Sequence, residues 1–288
     1  KDGKTPFYNS KNLSQLTHFT AKGYFKVFPY DLFDYKQLEY LKILCDTSIA
    51  YSSKEYLPYS KLRYLSIQSK YLAPLLKNFE SNFPVIESLD IIHADWRHLD
   101  SHLKKIISSK TLKCLQINYY SHKQQHLELK GEVESSIEEL RLTDVWWEFA
   151  SDLLKSERFP CLKKILIETD IMGHGPDLGK VFEKLSSFPL LTSITLKGSF
   201  NFSHKHLPFK FENLRFFCLE VFLIELDLDY LLSCMPNLIE LRIEERFSGE
   251  LRLRNPVTVH YLKLPFEFFR DNEDYINVIK NTPNLIQL

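Results

Sequence analysis

The stretch Leu238-Ile-Glu-Leu-Arg-Ile243 decides the fold, because its Leu-x-x-Leu-x-Leu pattern recurs along the whole chain. Eight further copies stand at Leu38–Ile43, Leu62–Ile67, Ile86–Ile91, Leu112–Ile117, Ile137–Leu142, Leu162–Ile167, Leu191–Leu196 and Leu214–Leu219. Weaker copies stand at Leu16–Ala21 and Val259–Leu264, and Leu285–Leu288 begins another. Successive copies start about 21 to 29 residues apart, which is the period of a solenoid built from one small unit per repeat.

Each period predicts one strand, and several also predict a helix. The last apolar positions of each copy alternate with polar residues, which is typical of a short strand with one buried face. Apolar residues at helical spacing predict helices within 96–109, 146–156, 177–188 and 271–282. An aromatic residue or Met followed by Pro ends several of these segments, as at Phe83-Pro84 and Met235-Pro236. Because proline cannot continue a helix, it marks the turn into the next strand.

A unit of this size cannot bury its own apolar face and must stack on its neighbours. The pattern resembles the leucine-rich repeat over nearly the whole chain. We therefore expect one α/β domain over 1–288, a curved solenoid of about 11–12 repeats and part of a longer chain whose N-terminal segment is missing. The resemblance implies parallel strands on the concave face and helices on the convex face. The longest interval, which holds "DIMGHGPDLGK", predicts a protruding loop.

The repeats depart from the regular leucine-rich pattern at one position. Regular repeats often carry Asn or Cys three residues after the last leucine, but this chain has Asp46, Ala94 and Val145 there. The phrase "PNLIELRI" is similar instead to the irregular, helix-bearing repeats of F-box leucine-rich-repeat proteins. This resemblance implies a substrate receptor of a ubiquitin ligase.

Composition excludes several classes of protein. An apolar content of 44% is typical of a folded chain, and no apolar run is long enough to cross a bilayer. The 37 basic and 37 acidic residues cancel, which argues against strong nucleic-acid binding across the whole surface. Five cysteines without regular pairing indicate reduced thiols, so we expect a cytoplasmic or nuclear protein.

Three motifs with possible chemistry have simpler interpretations. Gly173–Lys180 has neither Walker nor Rossmann spacing, so we expect a loop that ends where a helix starts. His98 and His102 are four apart on a predicted helix but lack matching Cys or acidic partners. Cys234 has the place of a small core residue before Met235-Pro236. The sequence nominates no catalytic residue, no cofactor and no metal site.

The outward positions of the predicted strands remain as a surface for protein recognition, since Tyr and Arg are favoured anchors in interfaces. The candidate contact residues are Tyr40, Lys42, Tyr64, Gln68, Asp90, Gln116, Asn118, Arg141, Glu168, Lys197, Glu240, Arg242 and Glu244. Three functions stay open at this point. They are an F-box receptor that docks the Skp adaptor of a cullin ligase through the missing N-terminal segment, a structural subunit of a chromatin or kinetochore complex, and a secreted effector that binds a host protein.

Overall fold

A computed structural model describes the chain at residues 15–23, 36–45, 59–68, 78–94, 96–119, 133–169, 175–201, 209–222, 228–244, 258–264 and 272–287. It separates into two compact units, Lys1–Ser121 (unit 1) and His122–Leu288 (unit 2). Strand order follows the order of the sequence. The prediction that 1–288 forms a single domain stays a prediction.

Unit 1 contains five parallel strands in sequential order: β1 (His18–Gly23), β2 (Tyr40–Cys45), β3 (Tyr64–Gln68), β4 (Ser88–Ala94) and β5 (Cys114–Tyr119). A short helix α1 (Phe79–Asn82) precedes β4, and helix α2 (Trp96–Ile107) precedes β5. Parallel strands need a crossover connection between them, and these helices form part of two such connections. The prediction of one strand per repeat is confirmed for all five copies in this unit.

Unit 2 contains six parallel strands in sequential order: β6 (Glu139–Val145), β7 (Lys164–Thr169), β8 (Ser193–Ser199), β9 (Phe216–Phe222), β10 (Glu240–Glu244) and β11 (Tyr261–Lys263). Its helices are α3 (Trp147–Leu153), α4 (Leu178–Ser186), α5 (Leu228–Ser233) and α6 (Asn272–Asn281). The incomplete repeat copy at Leu285–Leu288 also pairs with the sheet, because Gln287 forms a parallel bridge with Tyr261 of β11.

The repeat leucines form the core of each unit. Leu65 and Ile67 of β3 and Leu140 and Leu142 of β6 have no exposed surface. Aligned inner residues of neighbouring strands stack in the same way, so each repeat covers the apolar side chains of the next. The parallel strands, with helices between several of the successive strands, therefore form a leucine-rich-repeat solenoid within each unit.

The proline-containing turns are β-turns that restart the strands. In four such turns the backbone N–H of the strand's first repeat residue donates to the carbonyl of the aromatic residue or Met three positions earlier, as in Ile86 to Phe83 and Leu238 to Met235. Proline at the second position of a turn presets the required φ. The residue before the proline is buried, at 1% exposure for Phe83 and 2% for Met235. The predicted role of proline is confirmed, and the turn also anchors a core side chain.

Asparagines tie these turns together in unit 2. The Asn213 Nδ2 donates to the carbonyl oxygen of Pro189 at 2.8 Å, and the Asn237 Nδ2 donates to that of Glu212 at 2.8 Å. Each bond joins one repeat to the one before it. These asparagines lie before strands β9 and β10 and bond to the preceding repeat. In regular leucine-rich repeats the asparagine follows the strand instead.

Asp177 caps α4, because its carboxylate accepts a hydrogen bond from the Lys180 backbone N–H at 3.3 Å, so the glycine-rich stretch does lead into a helix. The core of the predicted protruding loop, 170–174, lies outside the described residues. The predicted helices are confirmed as α2, α3, α4 and α6, each slightly shorter than its pattern. None of the helices in the described ranges has the length and apolar character needed to span a membrane.

Candidate functional site

The outward side chains of the strands form two surfaces, called here the unit-1 face (β1–β5) and the unit-2 face (β6–β11). All thirteen predicted contact residues occupy outward positions, because inward and outward residues alternate along each strand. The unit-1 face carries Tyr40, Lys42, Tyr64, Gln68, Asp90, Gln116 and Asn118, and the unit-2 face carries Arg141, Glu168, Lys197, Glu240, Arg242 and Glu244. Their role in binding stays a prediction.

Aromatic rings dominate one side of the unit-1 face. The rings of Tyr40 and Tyr64 are stacked, with centroids 4.3 Å apart and planes 4° apart. His18 extends the stack, with its ring centroid 5.6 Å from that of Tyr40. The register pairs His18, Tyr40 and Tyr64 across three strands, so the repeat itself aligns the rings. The parallel backbone thus presents an ordered aromatic ladder that isolated sequence positions do not reveal.

Buried polar side chains form the floor beside this ladder. Ser66 is fully buried, and its Oγ donates to the Asp90 Oδ2 at 2.7 Å. Gln68 and Asp90 are only 6% and 8% exposed. Burial and the nearby Asp90 carboxylate raise the pKa of Tyr64 to about 12. Gln68 and Asp90 therefore support the surface, whereas the tyrosines and Lys42 reach solvent.

Ion pairs dominate the unit-2 face. On β6 the Arg141 Nε donates to the Glu139 Oε1 at 2.6 Å, and on β10 the Arg242 Nε donates to the Glu240 Oε1 at 2.5 Å. The Arg242 guanidinium also lies 5.4 Å from the centroid of the Phe216 ring. Both pairs join residues two apart on one strand, which places the partners on the same side of the sheet. The sequence "Glu-Leu-Arg" at both places therefore encodes the same oriented guanidinium.

Two cross-strand ion pairs lie toward the carboxyl ends of β8, β9, β10 and β11. The Lys197 Nζ is 2.6 Å from the Glu220 Oε2, and the Lys263 Nζ is 2.8 Å from the Glu244 Oε1. Burial, with the Asp144 and Glu220 carboxylates, raises the pKa of Glu168, against the opposing effect of Lys197. This end of the face is therefore crowded with carboxylates that two lysines partly neutralise.

Within the described part of the chain, one group of side chains has the donor atoms and spacing of a metal site. The Cys218 Sγ and carboxylate oxygens of Glu220 and Glu244 lie within 4.8 Å of one another. Burial, and then these carboxylates, raise the pKa of the Cys218 thiol to about 12, whereas a metal needs the thiolate. Lys197 and Lys263 already occupy the two carboxylates. The group therefore fits an ion-paired surface better than a metal centre.

Among the described residues, the histidine and cysteine motifs form no further group with metal-site spacing. His102 is half-buried on α2, and burial together with Lys105 lowers its pKa, while the side chain of His98 lies outside the described residues. Cys234 is 5% exposed, as a core filler should be, and burial raises its pKa.

Sequence reasoning omitted five residues from its candidate contact set that contribute to the two faces: His18, Glu139, Phe216, Glu220 and Lys263. His18 and Lys263 belong to the weaker repeat copies, so placing those copies in the common register is the signal that finds them. Phe216 stands at an outward position where the pattern predicts a polar residue. Its cation–π partner, Arg242, is on another strand.

Comparisons with known proteins give a structural likeness only. No protein-family model matches the chain, and no curated protein matches it. Among solved structures, the crystal structure of a TLR13-ssRNA13 complex aligns with 96% of this chain at 16% identity and a TM-score of 0.43. The aligned region spans 53% of the length of that protein.

Proposed function

We propose that this chain is a non-enzymatic recognition scaffold that binds a protein partner through its strand faces. The observation that carries the proposal is the register of the outward side chains. Two stacked tyrosines in unit 1 and two oriented arginines in unit 2 stand on regular parallel strands. Rigid aromatic and arginine side chains are the residue types that contribute most to protein interfaces.

The ionisable groups of the faces support a role in binding rather than catalysis. Each glutamate of the unit-2 face except Glu168 is engaged by arginine or lysine, and burial raises the pKa of the Cys218 thiol to about 12. A nucleophile or general base needs a pKa close to the working pH and a free lone pair. These groups have the opposite properties.

The finer proposal is a substrate receptor of an F-box-type ubiquitin ligase, acting in the cytoplasm or nucleus. The resemblance of the "PNLIELRI" repeats to those of F-box leucine-rich-repeat proteins supports it. In such a receptor the Skp adaptor would dock on a segment that precedes this chain, and the strand faces would hold the substrate. The two contacts are then separable by mutation.

Affinity capture with the full-length protein followed by mass spectrometry tests both levels. We expect the Skp adaptor and a cullin to be recovered together with a substrate. Replacing both Tyr40 and Tyr64 by Ser should lose the substrate and keep the adaptor. Arg63→Ser is a matched control, because Arg63 is exposed and paired with Glu87 at 3.3 Å but precedes the strand. Melting temperatures verify that each variant is folded.

The outcomes separate the two levels of the proposal. Failure to recover an adaptor or cullin contradicts the ligase receptor and leaves the scaffold. If variants of both strand faces capture the partner as well as the wild type does, the proposal that the strand faces bind it is wrong.

A further inference from the structure

The two oriented arginines of the unit-2 face lie in one row across the sheet. The register places Arg141, Leu166, Thr195, Cys218 and Arg242 side by side on five successive strands. Neighbouring strands are about 4.8 Å apart, so the two arginine positions are separated by about 19 Å. The three positions between them are uncharged.

In the ion pairs of this face the cation is the more exposed partner. The side-chain exposures are 48% for Arg141 against 25% for Glu139, 45% for Arg242 against 27% for Glu240, and 62% for Lys263 against 33% for Glu244. In the remaining pair, Lys197 and Glu220 are nearly equal, at 30% and 27%. A partner therefore meets guanidinium and ammonium groups before it meets the glutamates.

Each guanidinium is held in place yet has donors to spare. The Nε of Arg141 and the Nε of Arg242 each donate a hydrogen bond to the glutamate two residues earlier on the same strand. A guanidinium has five N–H donors in a planar fork and can bind a second carboxylate at its other edge. Phe216 holds Arg242 from below through a cation–π contact at 5.4 Å. Such preorganised side chains lose little conformational entropy when a partner binds.

The surface beyond Arg242 is open. A groove of about 570 Å³ is lined by Glu240, Arg242, Tyr261, Lys263 and Gln287. Tyr261 is 40% exposed, so it adds an aromatic contact next to the second arginine. A chain that crosses the strands along the arginine row can leave the row into this groove.

We propose that the unit-2 face binds an extended, acidic segment of a protein partner that crosses the strands, with one carboxylate on Arg141 and another on Arg242. An extended chain advances about 3.3 Å per residue, so about six residues span the 19 Å between the anchors. Residues six apart also point to the same side of an extended chain. The residues between them lie over Leu166, Thr195 and Cys218 and are small and uncharged. This inference rests on the proposed function, since it names the partner chemistry of the same face.

The glutamates beneath the cations favour spaced carboxylates over a nucleic acid. A nucleic-acid strand carries a phosphate at every nucleotide and gains affinity by neutralising many of them. On this face it would bring phosphates over Glu168, Glu220 and Glu244. Burial first, and then the Asp144 and Glu220 carboxylates, already raise the pKa of Glu168. Two carboxylates held apart by neutral residues avoid that repulsion.

Fluorescence anisotropy with defined probes tests the inference on the full chain. The first probe is a fluorescein-labelled peptide of Ser, Thr and Ala with two Glu six residues apart. The second has the same composition with the two Glu three residues apart, and the third is a labelled single-stranded oligothymidine. An exposed charge contact contributes about 0.2–1 kcal/mol, so we expect the first peptide to bind up to about fivefold more tightly than the second.

Charge-swapped variants supply the matched test. Combining Glu139→Arg with Arg141→Glu, and Glu240→Arg with Arg242→Glu, keeps each ion pair but exposes a carboxylate. We expect the six-residue spacing preference to disappear and affinity for the first peptide to fall by about tenfold. Lys163→Glu is the control, since Lys163 pairs with Glu138 at 2.7 Å, has a comparable exposure of 49%, and lies outside the face. If the swapped protein has a lowered melting temperature, Arg141→Gln with Arg242→Gln replaces it.

Each result decides the inference without deciding the proposed function. Equal binding of the two peptides, absence of peptide binding up to millimolar protein, or unchanged affinity in the swapped variants would overturn it. Tighter, arginine-dependent binding of the oligothymidine would overturn it in favour of a nucleic acid. Affinity capture of a partner, which tests the proposed function, can still succeed in all of these cases. Conversely, a failed capture does not change the peptide spacing preference that tests this inference.

Discussion

Gly198 of β8 is a position where one added methyl group should disturb the unit-2 face. Its φ is +101°, a conformation that residues with a Cβ rarely adopt. A Cβ there would lie 2.3 Å from the carbonyl oxygen of Thr169 and 2.9 Å from its Oγ1. That Oγ1 also donates to the carbonyl oxygen of Ser199 at 3.0 Å. Gly198→Ala therefore strains the backbone of β8 and pushes β7 away.

The size of the effect follows from these contacts. A residue held in a sparsely populated backbone region costs about 1–3 kcal/mol. Loss of the Thr169 hydrogen bond costs about 1 kcal/mol, while the smaller entropy of the unfolded alanine chain returns about 0.4–1 kcal/mol. We expect the free energy of unfolding to fall by about 2 kcal/mol. For a unit of this size the melting temperature should fall by about 4–8 °C.

Circular dichroism at pH 7 measures the melting temperature, and hydrogen exchange locates the change. Peptides from β7, β8 and β9 should lose protection, while those from β2, β3 and β4 should not. Ser199→Ala is the matched control, because Ser199 takes part in this contact through its backbone carbonyl. A Gly198→Ala protein that melts at or above the wild-type temperature would refute the argument from backbone strain.

Two further predictions concern ionisable side chains. Burial and the Asp144 carboxylate raise the pKa of Glu168 from 4.5. The folded state therefore binds this proton more firmly than the unfolded state does. The free energy of unfolding falls as the pH rises from 4.5 through the raised pKa. Glu168→Gln should therefore raise the melting temperature at pH 7 by about 1–3 °C and have little effect at pH 4; an equal gain at both pH values would contradict this cause. Maleimide labelling of the native protein should modify the exposed Cys161 within minutes and spare the buried Cys218 and Cys234, and early labelling of Cys218 would show that its strand opens.

Most of the fold follows from local patterns in the sequence. The repeated Leu-x-x-Leu-x-Leu determines where the strands lie, because two inward leucines per strand must be buried against the neighbouring repeats. The proline turns follow from the fixed φ of proline and the absence of its N–H. Even the Glu139–Arg141 and Glu240–Arg242 pairs can be anticipated, since residues two apart on a strand share a side.

The asparagines of the turns show what the local pattern hides. Asn213 and Asn237 each follow Glu or Pro in a turn, which is consistent with an ordinary turn residue. Their bonds reach carbonyls 24 and 25 residues earlier. Such a contact depends on the stacking distance between repeats, which no single repeat contains.

The same limit explains why the composition of the strand faces was only partly predictable. Gln68 and Asp90 stand at outward positions, but neighbouring side chains leave them 6% and 8% exposed. The cross-strand pairs of Lys197 with Glu220 and of Lys263 with Glu244 require the register of separate strands. In the structure the strands stay aligned because insertions fall between them. In the sequence these insertions make the repeats unequal in length, so the residues that pair across strands do not recur at a constant spacing.

Local and cross-strand ion pairs have different consequences for recognition. A pair within one strand, such as Glu240 and Arg242, keeps its geometry when a neighbouring side chain moves, because both partners are carried by the same short backbone segment. Lys197 instead depends on Glu220 of the next strand, and the two side chains are almost equally exposed. Arginines oriented by their own strand are therefore the better anchors. Because an incoming carboxylate must share each guanidinium with a glutamate already bound, the face should favour a partner that engages both arginines together over one that contacts either alone.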